Sequence, residues 1–231
     1  MPLSVRRNRL LFFFWGFFVA NAIIAELISV KLFDAGAAFG LQKDTFIMAL
    51  GLLPWPLVFI STDLLNEFYG RRVVRQMSIA TAIVLIYVFL VIYAAMKLPA
   101  FQHAGVTDKQ FEDVFVQSGN LIIGSIAAFM FSQFLDITLF SYFKRITNGR
   151  YIWLRATGST VISQFLDSII VIGIGFYLPG NVDFETYKWM VVTGYTVKLI
   201  LAVLLTPFIY LGHYAVNKYL HPERTDKAQH G

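Results

Sequence analysis

Apolar residues dominate the chain in six long runs, separated by short stretches that are rich in charged residues. A helix needs about 20 apolar residues to cross the hydrocarbon core of a bilayer, and each run reaches that length. The runs are continuous and do not alternate with a period of two, so they predict helices and not the strands of a barrel. The predicted spans cover residues 10–32, 45–69, 74–97, 118–143, 153–178 and 187–212.

The composition agrees with an all-α polytopic membrane protein. Of the 231 residues, 57% are hydrophobic and 14% are charged, whereas soluble domains carry roughly 25% charged residues. We expect a single six-helix transmembrane domain over residues 1–231, because no connection has room for a soluble domain. The longest connection, residues 98–117, is polar and predicts a short surface helix. The chain has no cysteine, which excludes thiol catalysis, disulfides and cysteine-based metal sites.

The basic residues predict the orientation of the chain. Thirteen Lys and Arg residues fall on the side that holds both termini, and five fall on the other side. By the positive-inside rule, residues 1–9 and 213–231 are cytoplasmic tails. Residues 6–22 imitate a secretory signal, but the apolar pattern continues to Leu32 and favours a retained span. The net charge of +5 follows from the basic loops and requires no nucleic-acid partner.

An acidic cluster lies in the second predicted span. Asp63, Asn66 and Glu67 are spaced so that they share one face of a helix, and Gly70 marks the helix end. Ionisable groups at membrane depth usually face a bundle interior or a cavity. The cluster fits one wall of a polar substrate site. It fits equally well an interfacial cap, in which the acids pair with the arginines that follow Gly70.

Two prolines interrupt the same span, at positions 54 and 56 on either side of Trp55. They remove two backbone donors, and they therefore predict a break or a kink in the helix. Transporters often place such breaks beside their sites, where freed carbonyl groups face a cavity. A simple packing kink is at least as common.

A short internal repeat joins the fourth and fifth spans. The sequence Ser-Gln-Phe-Leu-Asp occurs at residues 132–136 and again at residues 163–167. Gln and Asp share a helix face in each copy, and the two spans run in opposite directions. The copies form either two polar prongs in one cavity or hydrogen bonds between helices, and the cost of burying an Asp favours the cavity. The prong residues are Gln133, Asp136, Gln164 and Asp167.

Three further polar side chains lie inside predicted spans. Asn21 and Glu26 belong to the first span, and Lys198 lies near the centre of the sixth. Lys198 is the only cation deep in a predicted span, and its expected partner is Glu26, Asp136 or Asp167. The pair is either structural or part of a switch linked to gating or substrate.

Carboxylates and amides in spans rich in aromatic residues suit a small, flat heterocycle with several donors. A carboxylate accepts two parallel hydrogen bonds from a guanine-like edge, an amide pairs with a carbonyl or a ring N–H, and aromatic faces stack. A cation or a proton-coupled cargo fits the same groups. The motifs of intramembrane proteolysis, zinc proteolysis and ATP hydrolysis are missing from the sequence, so we predict no enzymatic activity and no metal site.

Three motifs carry a resemblance to a known family. They are Thr62-Asp63-x-x-x-Glu67-x-Tyr69-Gly70 followed by Arg71-Arg72, then Ser132-Gln133-x-x-Asp136, then Trp153-Leu154-Arg155-x-x-Gly158-Ser159 leading into Ser163-Gln164-x-x-Asp167-Ser168. Together they resemble the queuosine precursor transporter family, a bacterial inner-membrane vitamin uptake transporter group. The resemblance covers about residues 46–179 in motif terms.

The resemblance implies uptake of 7-cyano-7-deazaguanine (preQ0) and 7-aminomethyl-7-deazaguanine (preQ1). It also implies a six-helix fold similar to the substrate-binding components of energy-coupling-factor vitamin transporters. Glu67 or Asp167 would read the guanine-like edge, and the two prong glutamines would pair with its carbonyl and pyrrole N–H. Arg155 would anchor its helix or pair with an acid of the second span. The predicted substrate-binding residues are Asp63, Glu67, Gln133, Asp136, Gln164, Asp167, Asn21 and Lys198.

A second hypothesis belongs to a different class. The chain would be a membrane substrate-binding subunit or scaffold for another small heterocycle, and it would need a partner complex. Membrane lipid is an expected partner under both hypotheses. The sequence leaves open a homo-oligomer, an energising partner, the driving force, and the preference between the nitrile and aminomethyl forms.

Overall fold

The computed structural model describes residues 3–29, 31–34, 40, 47–101, 105–115 and 119–221. Seven α-helices account for most of these residues. They are α1 (Leu3–Ile28), α2 (Trp55–Tyr69), α3 (Arg71–Ala95), α4 (Asp108–Phe115), α5 (Gly119–Ile146), α6 (Ile152–Ile172) and α7 (Phe184–Leu220). Strands β1 (Leu32–Asp34) and β2 (Ile47–Ala49) form a short antiparallel pair. A 3₁₀ turn covers Leu50–Leu52, and a π-helical turn covers Gly173–Tyr177.

Five helical segments of the described chain are long and apolar enough to cross a membrane. They are Leu3–Ile28, Arg71–Ala95, Leu121–Ile146, Ile152–Tyr177 and Phe184–Leu220. The predicted surface helix is α4. The chain is thus a helical polytopic membrane protein, and the count of six spans stays a prediction.

The second predicted span, residues 45–69, is not one continuous helix. Residues 45–46 lie outside the described residues, and residues 47–52 form β2 and the 3₁₀ turn. The helix begins only at Trp55, with proline in its first turn. Proline is tolerated there because its missing N–H has no helical partner in the first turn. The predicted break is therefore present, and α2 is only 15 residues long.

Two helices end at other residues than the predicted spans. The first span was expected to run to Leu32, but α1 ends at Ile28 and Leu32 begins β1. At this end the Ser29 amide donates to the carbonyl of Glu26, three residues earlier, at 3.2 Å. The last span was expected to end at 212, but α7 continues to Leu220. Burial of Val216 and Leu220 explains the extension, because the polar residues of this stretch still leave one apolar face.

The two predicted tails are only partly described. Residues 3–9 are helical and belong to α1. Residues 1–2 and 222–231 lie outside the described residues, as does Lys43, one of the basic residues behind the predicted orientation.

At the start of α7, Asp183 accepts a hydrogen bond from the Thr186 amide at 3.0 Å. Hydrogen bonding from Thr186 holds the pKa of Asp183 below its ordinary value.

The short helix α2 occupies the interior of the bundle. It packs against α1, α3, α5 and α7, and residues 61–66 are all buried. A helical segment that is buried on every side, as residues 61–66 are, brings its polar residues inside with its apolar ones. Large, fully buried apolar side chains beside it are Phe18 of α1, Phe140 of α5 and Met77 of α3. This position of α2 explains why the acidic cluster lies inside the protein.

Two glycines are required by the connections around α2. A Cβ on Gly51 would lie 2.4 Å from the carbonyl oxygen of Ala25, so only glycine lets the 3₁₀ turn approach α1 this closely. Gly70 has a φ of +82°, which other residues rarely adopt. Gly70 ends α2, as the sequence predicts, and α3 begins at the next residue.

Candidate functional site

A cavity of about 290 Å³ opens between α1, α2, α5, α6 and α7. Its volume is near the lower end of the range for small-molecule sites, roughly 300–1,000 Å³. Its polar lining consists of Glu26, Ser29, Ser125, Ser132, Gln133, Thr160, Gln164, Asp167 and Lys198. Its aromatic lining consists of Trp55, Phe59, Phe129 and Phe176. The cavity therefore combines apolar walls with a few polar groups, as ligand sites do.

The charged pair of the cavity is Asp167 with Lys198. The Lys198 Nζ atom lies 2.5 Å from Asp167 Oδ2, and the Ser132 hydroxyl donates to Asp167 Oδ1 at 3.3 Å. This confirms one of the three partners expected for Lys198. The two side chains are 17% and 19% exposed, so the pair is partly solvated and faces the open volume.

A second carboxylate, Glu26, enters the cavity from the last turns of α1. The Ser125 hydroxyl of α5 donates to Glu26 Oε1 at 2.6 Å, and Glu26 is buried. The cavity thus contains two carboxylates, on α1 and α6, and one ammonium group, on α7. Its charge favours ligands that donate hydrogen bonds or carry a positive charge.

Both glutamines of the repeat line the cavity. Gln133 is 2% exposed, and its Nε2 atom has no hydrogen-bond partner in the described part of the chain. A buried donor without a partner costs about 1–3 kcal/mol. The amide therefore has an unused donor at the cavity.

The two copies of the repeat exchange hydrogen bonds. The Ser132 hydroxyl of the first copy donates to Asp167 of the second, and the Ser163 hydroxyl of the second donates to Asp136 of the first at 3.1 Å. This reciprocal pattern follows from the opposite directions of α5 and α6. The repeat therefore does both things that the sequence left open, because it lines a cavity and it bonds two helices together.

A separate group of charged side chains lies near the end of α2 and the start of α6. We call it the polar layer, and it consists of Asp63, Asn66, Glu67, Asp136, Lys144 and Arg155. Its centre is Glu67, whose Oε1 atom lies 2.9 Å from Arg155 Nη2 and whose Oε2 atom lies 3.0 Å from Lys144 Nζ. Arg155 also donates to the carbonyl of Gly149 at 2.7 Å. The layer therefore ties together α2, α5 and α6.

The pairing in this layer answers two questions that the sequence left open. Arg155 pairs with Glu67, which was one of its two expected partners. The alternative in which the acids of α2 pair with the arginines after Gly70 is wrong for Glu67, whose partners come from α5 and α6. The connection at Gly70 turns α3 away, so these arginines do not reach back to Glu67.

Asp63 and Asp136 are the most enclosed acids of the polar layer. Both are buried, and the charges that act on Asp63 come from Asp136, Arg155 and Glu67. Hydroxyl groups of α6 surround Asp136, with Ser163 at 3.1 Å and Thr160 at 3.4 Å. Nearby, the Asn66 amide donates to the carbonyl of Ile137 at 3.3 Å. Asp136 and Asn66 are thus bonded to groups on neighbouring helices.

The predicted substrate-binding residues thus divide into three places. Four line the cavity, namely Gln133, Gln164, Asp167 and Lys198. Three lie in the polar layer and do not line the cavity, namely Asp63, Glu67 and Asp136. Asn21 lies in neither place. Its amide donates to the carbonyl of Phe17 on its own helix at 2.8 Å.

The sequence comparison identifies the family. The family described as "Putative vitamin uptake transporter" matches residues 49–212, which include α2, α3, α5, α6 and most of α7. The chain belongs to this vitamin uptake transporter family. No solved structure matches the chain.

Three curated proteins are similar in sequence to this chain. "Probable queuosine precursor transporter" of Bacillus subtilis (strain 168) is 27% identical over 202 residues, which cover 87% of this chain and 82% of that protein. The protein of the same name from Haemophilus influenzae is 25% identical and covers 77% of this chain and 72% of its own. "Queuosine precursor transporter" of Escherichia coli (strain K12) is 25% identical and covers 67% of each chain.

In this vitamin uptake transporter, the cavity includes residues that sequence reasoning did not select as ligands. Glu26 was visible as an acid inside a span, but nothing in the sequence showed which helices its carboxylate would face. Trp55 and Phe59 follow the break in the second predicted span, and the two prolines were the available signal for this wall. Ser125 resembles the many small residues of the spans and gave no separate signal, whereas Ser132 was visible as the first residue of the repeat.

Proposed function

We propose that the chain imports queuosine precursors across the bacterial inner membrane, with preQ0 and preQ1 as substrates. The names of the relatives support this class of substrate, and the family supports transport without catalysis. One observation carries the proposal to the cavity. The Nε2 atom of the buried Gln133 side chain has no hydrogen-bond partner among the described residues. The same side chain lines a cavity with an aromatic wall, and the cavity volume of about 290 Å³ suits a small bicyclic molecule.

The aromatic wall is continuous. The Trp55 ring lies 5.8 Å from the Phe59 ring and 5.7 Å from the Phe129 ring, measured between centroids. A flat deazaguanine would stack on this wall, since aromatic faces prefer offset or edge contacts with other rings. The polar groups of α1, α5 and α6 would then face the edges of the heterocycle.

The polar groups suggest how each edge is read. Gln133 Nε2 would donate to the carbonyl oxygen, and Gln164 would accept from the pyrrole N–H. Of the two carboxylates proposed to read the guanine-like edge, Asp167 lines the cavity, whereas Glu67 is held by Arg155 and Lys144. We therefore assign that role to Asp167, with Glu26 as a second acceptor in the cavity.

The orientation follows from the charges at the two ends of the bundle. We place both termini and the polar layer on the cytoplasmic side, because the arginine-rich ends lie there. The cavity then opens toward the outside, since the residues around Ser29 and Ala49 line it. We count α2 with the residues before it as the second of six spans, in one domain similar to the substrate-binding components of energy-coupling-factor transporters.

Uptake of labelled preQ0 and preQ1 tests this proposal. The cells should make neither compound and should lack any energy-coupling-factor module, and they should express the chain or its Gln133→Met variant. We expect the parent to accumulate label and the variant to lose about 10–100-fold in affinity, because one hydrogen bond to a buried donor is removed. Gln76→Met is the matched control, since Gln76 is exposed on α3.

Each outcome has a separate meaning when membrane levels are equal. No accumulation by the parent, with binding retained, would support the substrate-binding subunit that needs a partner complex. Neither binding nor accumulation would overturn the substrate class. Undisturbed uptake by Gln133→Met would leave the transport function intact and overturn the site.

A further inference from the structure

A second pocket, of about 210 Å³, lies between α3 and α5 near the start of α3. No described residue lines both this pocket and the substrate cavity. One wall is basic and comes from α3, and the other comes from α5 and is mainly apolar. We call it the arginine pocket, and its lining residues are Arg71, Arg72, Arg75, Phe134, Ile137 and Thr138.

The positive charge of the arginine pocket is not balanced within the described chain. None of its three arginines forms an ion pair with a described acidic residue, and all three are exposed. The Arg75 guanidinium lies over the Phe134 ring, 5.1 Å from its centroid, which fixes one wall of the pocket. Guanidinium groups bind the oxygens of phosphate through paired N–H donors. Three of them around one small volume therefore favour an anion with several oxygens.

An apolar track leads away from the arginine pocket along α3. Ile79, Ile83, Ile86 and Leu90 are all exposed, and their spacing of three and four residues places them on the helix face that carries Arg75. At a rise of 1.5 Å per residue, the distance from Arg75 to Leu90 is about 22 Å. One leaflet of the hydrocarbon core is about 15 Å thick, so the track is long enough for the acyl chains of one lipid.

We propose that the arginine pocket binds the phosphate headgroup of an anionic phospholipid, with the acyl chains along the α3 track. Basic pockets between transmembrane helices are suited to such headgroups. The charge of the pocket distinguishes this ligand from the neutral lipids that surround the rest of the bundle. The bound lipid would bridge α3 and α5 and relieve the repulsion among the three arginines.

Thermal unfolding of the purified full-length chain in detergent tests the proposal. Phosphatidylglycerol is titrated in, with phosphatidylcholine as the neutral lipid and inorganic phosphate as the free anion. We expect phosphatidylglycerol alone to raise the midpoint by roughly 5 °C or more at saturation. The variant Arg71→Gln/Arg72→Gln/Arg75→Gln should lose most of this rise.

The matched control is Arg145→Gln/Arg150→Gln/Lys218→Gln, which removes the same charge from exposed positions outside the pocket. The control should keep the full rise. An equal loss in both triple variants would show general charge attraction and overturn the site. An equal rise with inorganic phosphate would make a soluble anion the ligand, and no rise with phosphatidylglycerol would also refute the proposal.

A second measurement tests the proposal if the triple variant of the arginine pocket fails to fold. Native mass spectrometry of the parent and of the single variant Arg75→Gln counts the phosphatidylglycerol molecules that stay bound after dilution into neutral detergent. We expect one retained lipid on the parent and a severalfold lower occupancy on the variant. Equal occupancy on both proteins would contradict the proposal.

Discussion

The cavity and the polar layer contain the same kinds of residue, yet their charges are satisfied in different ways. In the polar layer, Glu67 has two cationic partners, and Arg155 is only 3% exposed. In the cavity, the pair of Asp167 and Lys198 is partly solvated, and Gln133 keeps an unused donor. The hydrogen bonds of the polar layer are not complete, because Glu67 Oε2 and Arg155 Nε also have no hydrogen-bond partner among the described residues. The difference lies in the ion pairs and the open volume: Glu67 is paired with two cations that hold helices together, whereas Gln133 lines a cavity that has room for a ligand.

The internal repeat shows that the local sequence does not decide between these two situations. Asp136 and Asp167 occupy the same place in identical pentapeptides, but Asp136 belongs to the polar layer and Asp167 lines the cavity. The helices that carry them run in opposite directions, so the two copies meet different neighbours. The aspartate at the end of the repeat is therefore structural in the first copy, as Asp136, and is proposed to bind substrate in the second copy, as Asp167.

The largest effect on stability is expected from Arg155→Met. It removes one of the two cationic partners of Glu67 and leaves a carboxylate inside the bundle beside Lys144 and the His213 ring, whose Nε2 atom is 3.9 Å from Glu67 Oε1. This loss costs about 3–5 kcal/mol of unfolding free energy. Arg145→Met, at an exposed position in the last turn of α5, is the control and should change little. Unfolding in mixed micelles measures both. A stable Arg155→Met protein that no longer transports would instead give the polar layer a direct role in function.

The double variant Arg155→Met/Glu67→Leu sharpens the same comparison. Removing both charges should restore about 1–3 kcal/mol relative to Arg155→Met alone, because no unpaired carboxylate remains. Lys144 is 37% exposed and tolerates the loss of its partner. The coupling is read from a double-mutant cycle of unfolding free energies. Strictly additive effects would show that the pair is not the centre of the polar layer.

The identical substitution in the two copies of the repeat separates binding from structure. Asp167→Asn should weaken the binding of preQ0 or preQ1 by about 10–100-fold, because an acceptor of the proposed site and the partner of Lys198 lose charge. Asp136→Asn should change affinity less than about threefold, since its partners are the hydroxyls of α6. Equilibrium binding to purified protein measures both. Equal losses would place both copies at the substrate.

Several features were predictable from the sequence because they depend on neighbours along the chain. The prolines predicted where the second span breaks, Gly70 predicted where α2 ends, and the lone cation Lys198 predicted an acidic partner inside the spans. The place of Glu67 was not predictable, because its spacing from Asp63 fixes a shared helix face but not the helix that this face meets. The position of Glu26 in the cavity was not predictable for the same reason, since it depends on the contact between α1 and α5 that Ser125 makes with its carboxylate.

The smallest effects concern the two serines that link the repeat. Ser163→Ala removes a donor to the buried Asp136 and should lower the unfolding free energy by about 1–2 kcal/mol, with Thr160 still bonded to the same carboxylate at 3.4 Å. Ser132→Ala removes a 3.3 Å bond to the partly solvated Asp167, so it should cost less than about 1 kcal/mol and weaken substrate binding severalfold. Unfolding and binding are measured on both proteins. If Ser132→Ala proved the more destabilising and left binding unchanged, the bonds at the cavity would be structural, and the distinction between the two polar regions would fail.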